Sequence, residues 1–262
     1  MKRVAFLLKG GVSRISGSTA KTNGIYDQSP YVNFKATKLS IDKHIIKFNP
    51  TYQFDFFLHS WNKDLSEELL NLYNPKKYLF EDNTLYTDTI NQKLQLANSN
   101  NFRQVSQFLS LYKGCELIEE YANDSNSVYD LIIVYRFDLL LWKDMILDQY
   151  NPNNLCVNCY VNRDGEDGLG DFHIVTGFDH MHTLKSIYDS IGPSNPPIDH
   201  NIIKTYMRDI ARLNLQIDNI VAGHDQEVTR KLGEAYQCGR ISQSILEDYN
   251  LSVEEVLNYK AS

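Results

Sequence analysis

Four cysteines in 262 residues, at positions 115, 156, 159 and 238, are too few for a disulfide scaffold. No apolar run approaches the ~20 residues that a membrane helix requires, so no stable membrane insertion is expected. The opening MKRVAFLLKGG holds an apolar run of only five residues, with no small-residue cleavage site behind it. No secretory leader is therefore expected. A basic excess is also missing: 26 Lys and Arg stand against 33 Asp and Glu, a net charge of −7. That argues against a nucleic-acid binder working through a broad basic surface. The first turn is neither G-x-G-x-x-G nor a P-loop, and no G-x-S-x-G elbow marks an α/β-type serine hydrolase. There is no internal repeat, long linker or low-complexity block.

What remains is an ordinary globular composition, 42% hydrophobic and 23% charged. With so few cysteines and no membrane segment, a cytoplasmic protein is expected. The richness in Asn, Lys, Ile and Tyr fits an AT-rich genome, hence a viral host cytoplasm or a low-GC bacterial cytosol. Tyrosine is abundant, 17 residues, which suits polar ring-shaped ligands such as sugars and bases.

Apolar, β-branched runs separated by helical periodicity give the element order. RVAFLLKGG (3–11) reads as a buried strand and a Gly-rich turn, and residues 31–48 as a helix stopped by Pro50. YQFDFFLHSW (52–61) is a second strand, DLSEELLNLYNP a short helix capped by Asp64, and KKYLFED (76–82) a third strand. Residues 83–100 are polar and read as a mobile excursion over a site. A long helix follows from Phe102, on which Tyr112 and Lys113 either face a site or lie on a plain helical face. YDLIIVY (129–135) is the fourth strand and NNLCVNCYV (153–161) the fifth. NRDGEDGLGD is an acidic glycine loop, FHIVTGF (172–178) a sixth strand, and a helix capped by Asp179 follows. Another helix is expected over 198–213, then a last strand over 214–223 and two small helices, the second opened by a capping box from Ser252 to Glu255. Alternation of this kind predicts an α/β fold: a mostly parallel central sheet flanked by helices over residues 1–222, with a helical C-terminal extension over 223–262.

In such sheets ligands bind at the carboxyl ends of the strands. Those ends carry Lys9, Gly10, Gly11, Ser13 and Arg14; then His59, Ser60 and Trp61; then Arg136 and Asp138; then the acidic loop closing at Asp171; and last His224. Gly10 and Gly11 allow backbone N–H groups to approach a phosphate, or they form a plain turn. Arg136 and Asp138 interrupt YDLIIVYRFDLLLW, where a core strand should continue. Either they neutralise one another, or the strand ends there and delivers them to a cleft, Asp138 to a cation or sugar hydroxyl and Arg136 to a phosphate. Asp171 precedes a strand and could serve as a base. His173 reads as a packed core histidine, and Cys156-x-x-Cys159 as chance spacing without a second ligand pair. His224 suits a metal ligand, a phosphate donor or a surface turn.

The pieces VAFLLKGGVSR, FDFFLHSWN, YNPKKYLFED, SQFLSLYKGCELIEEY, YDLIIVYRFDLLL and GDFHIVTGFDHMHTL together resemble nucleotide-sugar glycosyltransferases of the GT-A type. More narrowly they resemble the small glycosyltransferase-like proteins of polysaccharide loci and large DNA viruses. The resemblance implies a single Rossmann-like GT-A domain that moves a sugar from a UDP- or GDP-sugar donor to a glycan hydroxyl. It implies nucleotide contacts at Lys9–Ser13, Arg14 and His59–Trp61, diphosphate or sugar contacts at Arg136 and Asp138, and Asp171 as base. It also implies Mn²⁺ or Mg²⁺ held by Asp138 and His224. The family's D-x-D is Arg136-Phe137-Asp138 here, so only Asp138 matches, and a non-catalytic glycan- or partner-binding relative is the alternative.

Overall fold

Why the apolar runs fall where they do is clear from the sheet. A computed structural model describes residues 1–11, 33–161, 167–197, 215–218, 221, 226–228, 232–237, 239 and 241–254, with the backbone alone for 158–161, 167–172, 215–217, 226–228 and 232–234. Strand β1 (Lys2–Gly10) has six consecutive buried residues, Val4 to Leu8 among them without exposed surface. Only a strand covered on both faces can bury such a run. It lies between β2 (Tyr52–Ser60) and β4 (Leu131–Arg136), parallel to both. With β3 (Lys77–Phe80), β6 (Leu155–Val161), β7 (Asp167–Gly177) and β8 (Leu215–Ile217) they form a seven-stranded sheet in the order β3-β2-β1-β4-β7-β6-β8. Only β7 runs against the rest, pairing antiparallel with both β4 and β6.

Alternate residues of the central strands feed two cores, as period two demands. Ala5, Leu7, Phe57, Ile132 and Val134 face the long helix α4 (Phe102–Ser125). Val4, Phe6, Leu8, Ile133 and Tyr135 face α1 (Phe34–Ile41) and α2 (Ser66–Tyr73). Helix α4 sits so close to β1 at Gly114 that a Cβ there would come within 2.6 Å of Leu7. Its ends follow local rules: the Asn101 side chain accepts from the Gln104 N–H, and Asn126 takes the left-handed conformation at φ 50°.

Several expectations are corrected. The helix expected over 31–48 stops at Ile41 and tightens into a π turn, Asp42–Ile46. Helix α2 starts at Ser66, with Leu65 rather than Asp64 at the cap position. Residues 83–100 are not a mobile excursion. A 3-10 turn (Asn83–Tyr86) leads into α3 (Thr87–Leu96), anchored because Ile90 and Leu94, four residues apart, are buried in the α4-side core. The acidic glycine stretch is already strand from Asp167, since pairing with β6 overrides the poor strand propensity of Gly and Asp. After β7 the chain turns through a 3-10 turn, Phe178–His180, into α5 (Met181–Asp189). YDLIIVYRFDLLLW is two strands. β4 ends at Arg136, the chain turns at Phe137–Asp138, and β5 (Leu139–Leu141) pairs in a separate small sheet with β9 (Gln226–Val228). Helices α6 (Leu232–Gln237) and α7 (Gln243–Glu247) belong to this end of the chain. Ala235 and Leu246 share a third core with Ala36 and Leu140. The helix expected over 198–213 and Glu255 of the capping box lie outside the described residues. Among the described residues no helix is long and apolar enough to cross a membrane.

Candidate active site

The parallel strands β3, β2, β1 and β4 deliver their carboxyl ends to one edge. Lys9, the penultimate residue of β1, stands in register with His59 of β2 and with Arg136 of β4. In-register neighbours share a face, here the α4 face, at about 4.8 Å per strand. Three nitrogen-bearing side chains thus form a row, of which Lys9 is 4% exposed and His59 fully buried. Gly10 follows with φ 109°, a conformation that L side chains rarely adopt, and nothing among the described residues lies within 4 Å of where its Cβ would stand. This is a backbone turn with open space beside it, next to buried positive charge.

Arg136 and Asp138 do meet each other. Arg136 Nε donates to Asp138 Oδ1 at 2.7 Å and Nη2 to Oδ2 at 2.8 Å, a bidentate fork. Their side chains are 17% and 6% exposed. The turn that carries them is fastened from α1, where the Thr37 hydroxyl donates to the Phe137 carbonyl at 2.8 Å. Ser40 Oγ accepts from the Leu141 N–H beyond it, also at 2.8 Å.

His59 does not open toward a ligand. Its Nδ1 lies 2.7 Å from Ser110 Oγ of α4 and its Nε2 3.2 Å from Glu81 Oε1, just past β3. Burial lowers the imidazole against the pull of Glu81, so the ring is neutral at pH 7. Glu81 is the hub of this group. It also accepts from the Tyr86 hydroxyl at 2.6 Å and pairs with Lys113 at 3.0 Å. Burial works to raise its carboxyl, but the hydrogen bonds from His59, Tyr86 and Lys113 and the Lys113 charge hold it down at about 2. Ser60 is buried, and its Oγ accepts from the Asn62 N–H at 3.2 Å. Trp61 packs edge-on to His59 at 4.6 Å and against Tyr86 at 5.7 Å. The end of β2 is therefore a packed support; Lys113 belongs to it.

Across the sheet, β7 bulges toward the same edge. Its register with β6 slips between Val157↔Ile174 and Cys159↔Leu169, leaving extra residues on β7. Its pairing with β4 reaches Tyr135↔His173, so the Asp171 backbone lies two residues further on, beside the Arg136–Asp138 turn. Asp171 is thus inside a strand rather than at its entrance; its side chain is outside the described residues, as are Ser13, Arg14 and His224. His173 is packed, as expected, and also paired: Nε2 lies 2.7 Å from Asp218 Oδ2, which accepts from the Tyr150 hydroxyl at 2.6 Å. Asp218 Oδ1 accepts from the Val221 N–H at 3.0 Å. Although burial opposes it, hydrogen bonding to His173, Tyr150 and Val221 keeps the Asp218 carboxyl below its ordinary value. Asp218 directly follows β8, so it stands at the same carboxyl edge.

Glu81, Asp218 and Tyr150 escape a reading of motifs. The signal for Asp218 was present: like Arg136 and Asp138, it interrupts an apolar run, NLQIDNIV. Among the described residues no group of three His, Cys, Asp or Glu side chains is placed to hold a metal ion. Asp138 already has both oxygens on Arg136, so no step below is routed through a cation.

No family model matches this chain, and no curated protein matches it. Solved structures do show a similar course. A CTP:phosphocholine cytidylyltransferase from Streptococcus pneumoniae is 14% identical at TM-score 0.44, covering 87% of this chain and 93% of its own. A glycosyltransferase involved in glycosylation of the major capsid of PBCV-1 is 11% identical at TM-score 0.38, covering 82% and 81%. Mouse xyloside xylosyltransferase 1 is 11% identical at TM-score 0.41, covering 83% and 84%.

Proposed function

We propose that this chain is a glycosyltransferase that moves a sugar from a nucleotide-sugar donor to a glycan hydroxyl. The observation that carries the reading is the in-register row of Lys9 and Arg136 beside the open Gly10 turn, at the sheet edge where Asp138 and the Asp171 bulge also lie. The Gly10–Gly11 backbone approaches the donor diphosphate. Lys9 and Arg136 supply positive charge to the departing diphosphate, the largest electrostatic demand of the reaction. Asp138 fixes the plane of the guanidinium through its two-point contact. The acceptor oxygen attacks the anomeric carbon, and the bond from that carbon to the diphosphate oxygen breaks, its electron pair leaving with the diphosphate. The acceptor proton passes to Asp171. A divalent Mn²⁺ or Mg²⁺ enters this reading only if Asp138 exchanges the guanidinium for the cation.

The bidentate Arg136–Asp138 pair itself favours a second reading, a fold that binds a glycan or partner without transfer. A thermal-shift screen of UDP-, GDP-, CMP- and dTDP-sugars with Mn²⁺ or with chelator, followed by an assay for released nucleoside diphosphate, separates the two. Stabilisation by one nucleotide family is expected, about 2.7 kcal/mol at a hundredfold excess over Kd, with diphosphate release only when acceptor is present. Absence of any nucleotide-dependent shift overturns the transfer reading, and loss of the shift on chelation places a cation on Asp138.

A further inference from the structure

Helix α4 extends well past the sheet. Ser110, which holds His59, marks the carboxyl edge, and Phe102 lies eight residues earlier, about 12 Å further out at 1.5 Å per residue. There the junction of α3 and α4 encloses an open cleft of about 1000 Å³. Its described walls carry four carboxamides, Asn91, Gln95, Asn98 and Asn100, above Leu94 and the half-buried Phe102; none of the described lining residues is charged. Asn91 and Gln95 are one helical turn apart and present their amides side by side. A carboxamide donates and accepts at once, so neighbouring amides match vicinal hydroxyls, and an aromatic ring beside them suits the C–H face of a sugar. A phosphate or a basic peptide would find no counter-charge there. One turn of α4 inward from Phe102, Ser106 faces Asn83, which is 6% exposed and whose Oδ1 has no hydrogen-bond partner among the described residues. A buried acceptor without a donor is costly to leave dry, so a polar group arriving along this wall has a place to bind.

We propose that the α3–α4 cleft binds a neutral saccharide and holds the outer sugars of the acceptor while its reacting hydroxyl reaches the sheet edge. The second half of this statement rests on the transfer reading; the first rests on the cleft alone.

The test is saturation-transfer NMR of the full chain, without nucleotide, against maltohexaose, mannohexaose, xylohexaose and chitohexaose at millimolar concentration, with hexagalacturonate as the charged control. At least one neutral oligosaccharide is expected to bind, and the double variant Asn91→Ala/Gln95→Ala, on an exposed helix face, is expected to weaken it tenfold or more with an unchanged melting temperature. Phe102→Ala should weaken it further, with its fold checked by circular dichroism. No neutral oligosaccharide binding, binding unchanged in the double variant, or preference for hexagalacturonate each overturns the proposal. If the cleft binds sugar while no donor gives transfer, the cleft stands and the transfer reading falls. If transfer proceeds with an affinity for acceptor that the double variant leaves unchanged, the cleft falls and transfer stands.

Discussion

Each edge of the sheet buries an arginine–aspartate pair, and the two pairs are built differently. At the amino edge Arg3 of β1 reaches Asp55 of β2, 52 residues away. Asp55 is 1% exposed and also accepts from the Tyr129 hydroxyl at 3.1 Å and from Gln53 at 3.3 Å. The Arg3 guanidinium lies over the Tyr129 ring at 4.9 Å. This cluster ties β1, β2 and the entrance to β4 together. At the carboxyl edge Arg136 and Asp138 are two residues apart on one turn. Their pairing closes no long loop and joins no distant elements. Taking two charges out of water is expensive, and the amino-edge pair offsets that cost by fastening strands. The carboxyl-edge pair fastens nothing remote, so its reason lies in what it presents to a ligand.

The largest expected effect breaks the first pair. Arg3→Met leaves the Asp55 carboxylate buried and short of its cation, and should cost about 3 kcal/mol of stability. Urea unfolding measures this, while the donor-induced thermal shift should persist. Arg136→Met is the counterpart. Asp138 can turn toward solvent from its turn, so the stability loss should be nearer 1 kcal/mol. The donor-induced shift should vanish and turnover should fall about a hundredfold, equivalent to about 2.7 kcal/mol. Equal stability losses in the two variants would make both pairs structural and remove the distinction drawn between them.

How much of this was legible beforehand follows the same division. Strands β1, β2 and β4 and helix α4 read clearly, because burial on both faces writes continuous apolar runs and a helix face writes period 3.6. Arg136 and Asp138 stood out because they break such a run. Asp218 breaks one equally, but the run was read through to Gly223, and β8 ends at Ile217. Only pairing with β6 sets that end. Helix α3 was hidden because just Ile90 and Leu94 of its ten residues are buried. The strand start at Asp167 was hidden because its pairing with β6 outweighs local propensity. His59 looked like a ligand contact because it ends a strand; that its partners are Ser110 and Glu81 depends on how α4 lies across β2, which no local pattern records.

Glu81 sharpens the comparison, because it sits at the carboxyl edge yet is built like the amino-edge cluster. Its carboxylate gathers His59, 22 residues earlier, Lys113, 32 residues later, and Tyr86. If reach along the chain rather than position on the sheet marks a structural charge, Glu81→Gln should cost about 1–3 kcal/mol at pH 7 and leave the donor-induced shift intact. Its titration gives an independent signature. In the folded protein the carboxyl titrates near 2, against 4.5 as the ordinary value. The folded state therefore binds fewer protons than the unfolded chain in that window, and the stabilisation from Glu81 is fully present above about pH 5 and lost as pH falls toward 2. The stability gap between wild type and Glu81→Gln, followed by urea unfolding from pH 7 to pH 2.5, should narrow across that range. A gap that stays constant with pH would show that the carboxylate charge is not what holds the network. A donor-induced shift that disappears in the variant would place Glu81 with Arg136, as part of the site rather than its support.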